Sequence, residues 1–101
     1  MNWIKANLST TPIDPSKIDP ANADKEMLRI SIISELDAIN LYEQFADVTD
    51  DPKIKEVMLD ISKEEKVHMI EFETLLKGID KEFEEVVPEG EKEVSDLIGE
   101  I

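Results

Sequence analysis

Three stretches decide the fold: Ser34-Glu35-Leu36-Asp37-Ala38-Ile39-Asn40-Leu41-Tyr42, then Thr49-Asp50-Asp51-Pro52, then Glu64-Glu65-Lys66-Val67-His68. The middle one is punctuation. An acidic N-cap followed by Pro at the first helical position starts a helix and ends the one before it. The outer two therefore lie on consecutive helices joined by a short break, which makes the helices antiparallel neighbours. Both carry polar groups where a helix buries apolar ones. At about 100° per residue, Leu28, Ile32, Glu35, Ile39, Tyr42 and Ala46 share an arc of about 80°. On the second helix the apolar face is Ile54, Val57, Met58, Ile61, Phe72, Leu75 and Leu76. Glu65 and His68 fall inside it, within about 60° of each other.

The helix boundaries follow from the same signals. Asp19-Pro20 is an N-cap with Pro at N1, with Asn22 or Asp24 as slightly later starts, and no Gly or Pro interrupts the chain from there to Val48. The second helix is expected from Pro52 to about Lys77, with Gly78 as its left-handed C′ residue. Ile79 to Val87 offers one or two further turns before Pro88. This divides the chain into an arm (1–19), a helical hairpin (20–87) and a tail (88–101). Trp3 and Ile4 either anchor the arm on a neighbour or belong to a frayed terminus. Val94, Leu97, Ile98 and Ile101 make the tail a docking segment, a linker, or a short helix capping its own bundle.

Composition narrows the function. The 101 residues contain 25 Asp and Glu against 11 Lys and Arg, a formal charge of −14. That excludes a binder of phosphate backbones and opposes docking on anionic membrane. It favours cations and basic surfaces as partners. With no cysteine there is no disulfide framework, no Cys-ligated zinc and no iron–sulfur cluster. No apolar run reaches the roughly 18 residues of a membrane span, and Met1-Asn2-Trp3-Ile4-Lys5 lacks the apolar core of a secretory signal. The expected setting is the cytoplasm.

A carboxylate in an apolar stripe is expensive unless it is paired or bound to a metal. Glu65 and His68 form Glu-x-x-His, so they project together from adjacent turns. Glu35 and Glu65 each lie about 15 residues from the turn centre, which brings them to one height in an antiparallel hairpin. One Glu plus one Glu-x-x-His is half of the ligand set of carboxylate-bridged di-metal bundles. Two copies packed as a four-helix bundle complete the set and cover the surplus apolar sectors: Met27, Ile30, Leu41, Phe45 and Val48 on one helix, Leu59 and Ile70 on the other. Four carboxylates then balance two divalent cations. Carboxylate and imidazole suit iron, manganese or zinc. Glu64 and Glu71 read as solvated charge. A hydrogen-bonded core histidine beside surface carboxylates is the bland alternative; the conjunction of three inward polar groups at one height speaks against it.

In order and spacing, these residues resemble the encapsulated ferritins, half-length members of the ferritin-like superfamily; the likeness covers about Met27 to Lys77. It implies an all-α fold: an antiparallel two-helix hairpin with a short C-terminal helix, dimerising into a ferritin-like four-helix bundle. It implies a ferroxidase that oxidises Fe(II) with oxygen at a di-iron centre between two chains. The metal ligands are then Glu35, Glu65 and His68, with two irons per dimer. Tyr42 matches a tyrosine near the metals, and Asp37 an acidic residue linked to metal uptake. The resemblance further implies that the dimers assemble into a ring-shaped decamer inside an encapsulin nanocompartment, with the shell protein as partner. Ser34 stands where relatives often have Glu, and Leu41 where some have Trp. A rubrerythrin-like peroxidase half-domain is the alternative enzyme, although this chain lacks the cysteines of a rubredoxin-type iron site. A non-catalytic helical module oligomerising around a structural metal is the alternative outside enzymes.

Overall fold

A computed structural model of the chain describes Ser16 and residues 19–99. The rest of the proposed arm, with Trp3 and Ile4, and the terminal Ile101 lie outside the described residues. A 3-10 turn, Pro20–Asn22, leads into α1 (Ala23–Val48), α2 (Pro52–Ile79) and α3 (Lys81–Ile98). The described residues contain no strand, and none of their helices is long and apolar enough to cross a membrane.

The starts of these elements follow the sequence signals. Asp19 accepts from the Ala21 amide at 3.0 Å and opens the 3-10 turn. Asp51 accepts from the Lys53 amide at 2.8 Å with Pro52 at the first helical position. Each cap satisfies an amide that the first turn of a helix leaves without a partner. Thr49 is extended, with its amide on the Phe45 carbonyl, and its hydroxyl accepts from the Asp51 amide. The reversal is therefore three residues long, and α1 and α2 run antiparallel.

The second boundary differs from the expectation. Gly78 is an interior residue of α2, and the helix runs on to Ile79. Asp80 does the capping work at both ends. Its amide donates to the Leu76 carbonyl and closes α2; its carboxylate accepts from the Phe83 amide at 3.1 Å and opens α3. The left-handed glycine is Gly99, at φ 88°, which ends α3. Pro88 does not break α3 either: one helix spans it, so the hairpin and tail divide at Asp80 rather than after Val87. Proline removes one amide from the ladder. Glu84, whose carbonyl loses that partner, and Pro88 itself are both exposed, so water takes the place of the missing donor.

The core of the single chain is thin. Among the described residues the buried apolar ones are Ile39, Ala46 and Leu76, and Ser62 and Asp80 are the buried polar ones. The stripe Leu28, Ile32, Glu35, Ile39, Tyr42 and Ala46 is at least half-buried against α2. The adjoining sector is not: Met27, Leu41, Phe45 and Val48 are exposed, as are Val57, Leu59, Ile70 and Leu75 on α2. A helix 28 residues long extends about 42 Å. The molecule measures 47 × 43 × 24 Å, so α3 leaves the hairpin at a steep angle instead of lying along it. Arg29 of α1 holds its root, donating to Asp80 at 2.9 Å.

Candidate metal centre

The centre lies midway along the hairpin. Glu35 comes from α1, Glu65 and His68 from adjacent turns of α2. One ligand atom of each lies within 4.8 Å of the other two. His68 Nδ1 is 3.6 Å from Glu65 Oε2 and 3.8 Å from Glu35 Oε2. Neither distance is a hydrogen bond. The Glu35 and Glu65 side chains are 17% and 20% exposed, while His68 is 47% exposed on the open side of the hairpin.

Glu35 Oε2 is buried and has no hydrogen-bond partner. A buried acceptor left unmatched costs about 1–3 kcal/mol, and more when charged. Folding nevertheless drives this oxygen toward a second carboxylate and an imidazole, with no Arg or Lys among them. A cation resolves that arrangement. Bonds of about 2.0–2.2 Å on opposite sides of one ion span up to about 4.4 Å, the scale of this cluster, and a set of oxygens with one nitrogen suits divalent iron, manganese or zinc. The three residues thus fit a metal ion, which they would hold through two carboxylates and one imidazole.

The other two candidates stand apart from this cluster. Tyr42 is half-buried on the Glu35 side of α1, with its ring edge-on to Phe45 at 6.4 Å. Asp37, about 200° around α1 from Glu35, is exposed.

Two polar ties escaped the sequence reading. Ser62, nearly fully buried, donates to Glu43 Oε2 at 3.0 Å, and Lys66 reaches the same oxygen at 2.8 Å. These contacts, the lysine's first, hold the Glu43 carboxyl below its ordinary value. They fix the register of α1 on α2 beside the cluster. The second tie is Arg29 to Asp80. The Phe83 amide and then Arg29 hold the Asp80 carboxyl low against the opposing effect of burial. Ser62 carried a detectable signal, a hydroxyl at an inward position; a partnership across 51 residues leaves no local pattern.

Comparison with known proteins agrees with this geometry. A family model described as rubrerythrin matches residues 26–97. The chain is 46% identical over 74 residues to a ferritin-like-encapsulin shell fusion protein of Pyrococcus furiosus, across 73% of this chain and 21% of that protein. It is 38% identical over 55 residues to the encapsulin nanocompartment cargo protein EncC of Myxococcus xanthus, across 54% of this chain and 42% of that one. The matches thus span about a fifth of one relative's length and about two fifths of the other's. The crystal structure of the encapsulated ferritin domain from Pyrococcus furiosus superposes with a TM-score of 0.80 at 39% identity, over 95% of this chain and 99% of that one.

Proposed function

The chain belongs to the rubrerythrin family as a ferritin-like domain, and from that premise we propose that it is a ferroxidase, oxidising Fe(II) to Fe(III) at a di-iron centre shared by two copies. The observation that carries this reading is the buried, unpartnered Glu35 oxygen facing Glu65 and His68. One chain offers two carboxylates and one imidazole; a two-fold partner brings the same set. Four carboxylates match the charge of two divalent ions, and the half-exposed His68 and its exposed apolar neighbours give the partner a surface to cover.

Iron, the substrate, supplies the electrons that pass to oxygen when it is bound. The protein's own residues prepare for that. Glu35 and Glu65 hold negative charge at a fixed separation in a partly dry site, so a cation is attracted more strongly than in water. His68 contributes a neutral nitrogen that adds no charge to be balanced. Tyr42 offers a hydroxyl near the first helix's ligand, and exposed Asp37 extends the anionic surface over which Fe(II) reaches the site. The dimers assemble into a ring-shaped decamer. Both relatives' names refer to encapsulin, which supports an encapsulin shell as partner and a cytoplasmic nanocompartment as location, with iron storage or detoxification as the role.

Oxygen uptake and ferric absorbance after anaerobic loading with Fe(II) test the chemistry. Glu35→Ala, Glu65→Ala and His68→Ala should each lose more than the about 10–100-fold that removal of a ligand's supporting partner costs. Tyr42→Phe should lose less, and Glu71→Ala nothing. A folded His68→Ala protein that oxidises iron at the parent rate overturns the assignment. Turnover of hydrogen peroxide without oxygen uptake would make the chain a peroxidase, and bound metal with neither reaction would leave a structural module.

A further inference from the structure

The three ligands come from two helices, and different forces fix the two parts of the set. Glu65 and His68 stand one turn apart on α2, so the helix itself sets their spacing. Glu35 stands on α1, so its distance from that pair depends on how α1 lies against α2. A slip of one residue along the axis moves it by about 1.5 Å, whereas the bonds of a metal site hold to within about 0.2 Å. Apolar contact is non-directional. Ile39, Ala46 and Leu76, the buried apolar residues among those described, therefore resist separation of the helices more than they resist sliding. Placing Glu35 takes a contact with a direction.

Such a contact lies one turn from the ligands. Ser62 is 1% exposed, the more deeply buried of the two buried polar residues described. A hydroxyl in that position is costly unless it is bonded, and it donates to Glu43 Oε2 of α1 at 3.0 Å. Lys66 donates to the same oxygen at 2.8 Å. Ser62 and Lys66 are four residues apart and share one side of α2, which lets both reach one atom. Lys66 follows Glu65 directly, and Ser62 precedes Glu65 by three residues. On α1, Glu43 stands about 12 Å along the axis from Glu35. Among the described residues, these are the side-chain hydrogen bonds that join α1 to α2 directly; the Arg29 tie ends on Asp80, past the last residue of α2.

We propose that Ser62, Glu43 and Lys66 are positioning residues of the metal centre, holding Glu35 against the Glu65–His68 pair at the separation an ion requires. The inference rests on the metal reading of those three ligands. Breaking the tie leaves every ligand in the chain but frees α1 to slide, so the ion loses its geometry before the hairpin loses its fold.

The test uses the full chain with Co(II), whose visible absorption reports its coordination geometry, and thermal unfolding in chelator as the measure of the fold. Ser62→Ala removes no charge; it should stay folded, bind Co(II) about 10-fold more weakly, the low end of what loss of a ligand's support costs, and shift the visible bands. Glu43→Ala, at a half-exposed position, should do the same. The double variant should lose little more than the worse single one, because both remove one contact. Leu76→Val should lower the melting temperature and leave the affinity and bands of the parent, which separates positioning from stability. If His68→Ala abolishes Co(II) binding while a folded Ser62→Ala keeps the parent's affinity and bands, the metal centre stands and the positioning proposal falls. Losses that multiply in the double variant, or a Leu76→Val chain that weakens Co(II) as Ser62→Ala does, also overturn it. A His68→Ala chain that binds Co(II) as the parent does overturns both readings. If Ser62→Ala does not fold, Glu43→Ala decides by the same criteria.

Discussion

Glu35→Met should make the metal-free protein more stable while abolishing its response to metal. The wild-type carboxylate places Oε2 in a buried position with no partner, at a cost of about 1–3 kcal/mol. Methionine has nearly the same length, packs in irregular gaps, and adds apolar burial between Ile32 and Ile39. Because the Glu35 side chain keeps 17% exposure, the lower part of the range applies, about 1–2 kcal/mol. For a domain near 100 residues, about 1 kcal/mol moves the melting temperature by about 4–8 °C, so the substitution should raise it by about 5–15 °C. Metal reverses the order. An ion at about a hundred times its dissociation constant stabilises the wild type by about 2.7 kcal/mol and leaves Glu35→Met unmoved. The assay is thermal unfolding at one fixed protein concentration and pH 8, where imidazole is ordinarily neutral, in chelator and then with Mn(II), which avoids oxidation. A metal-free Glu35→Met protein that melts below the metal-free wild type would refute the reasoning, because it would mean that the carboxylate is satisfied by the fold itself.

Two further outcomes follow from the electrostatics. The Asp80 carboxyl is held below its ordinary 3.8 by the Phe83 amide and Arg29; the folded chain therefore binds fewer protons there than the unfolded one, and this stabilisation is complete above that pH and lost as pH falls through the lower folded value. Asp80→Asn keeps a capping oxygen but loses the ion pair, so the stability gap from wild type should hold steady from neutral pH to about pH 5 and close below about pH 4; a gap undiminished in acid, read from urea midpoints, would contradict this. Raising ionic strength from about 0.05 to about 0.5 M should strengthen self-association of chains charged −14 each, and slow Fe(II) oxidation at sub-saturating iron, because screening acts on repulsion and attraction alike. Sedimentation and initial rates that changed in the same sense would show that net charge does not govern both.

The hairpin was legible because its signals are local. Asp51-Pro52 and Asp19-Pro20 act within one turn of the residues that they order, and the apolar period of α1 needs no knowledge of what it packs against. The C-terminal third was misread where local preference lost to context. Gly78 has the right composition for a C′ residue, yet Asp80 ends α2 because its carboxylate also opens α3 and binds Arg29. Three helices meet at that side chain, and only the tertiary fold puts them there. Pro88 is a strong breaker in a peptide, but on an exposed helical face it removes one bond that water replaces.

The site was legible for the opposite reason: it is where sequence and packing disagree. Glu35, Glu65 and His68 occupy positions that the helical period reserves for apolar side chains, and the fold brings the three together, the two carboxylates largely buried and His68 at the open edge. A surface glutamate is free to leave a poor position by rotating into water; these two side chains are held largely out of it, at 17% and 20% exposure, with Glu43, Ser62 and Lys66 locking the register of the helices. The unmatched oxygen at Glu35 is thus a consequence of the same pattern that builds the hairpin. What period and spacing do not encode is how many chains the proposed centre takes. That information lies in the surplus of apolar surface: one hairpin has two helices with apolar residues on more than one side, so a single neighbour cannot cover all of it. The His68 side and the outward face of α2 point in different directions, and each calls for its own contact.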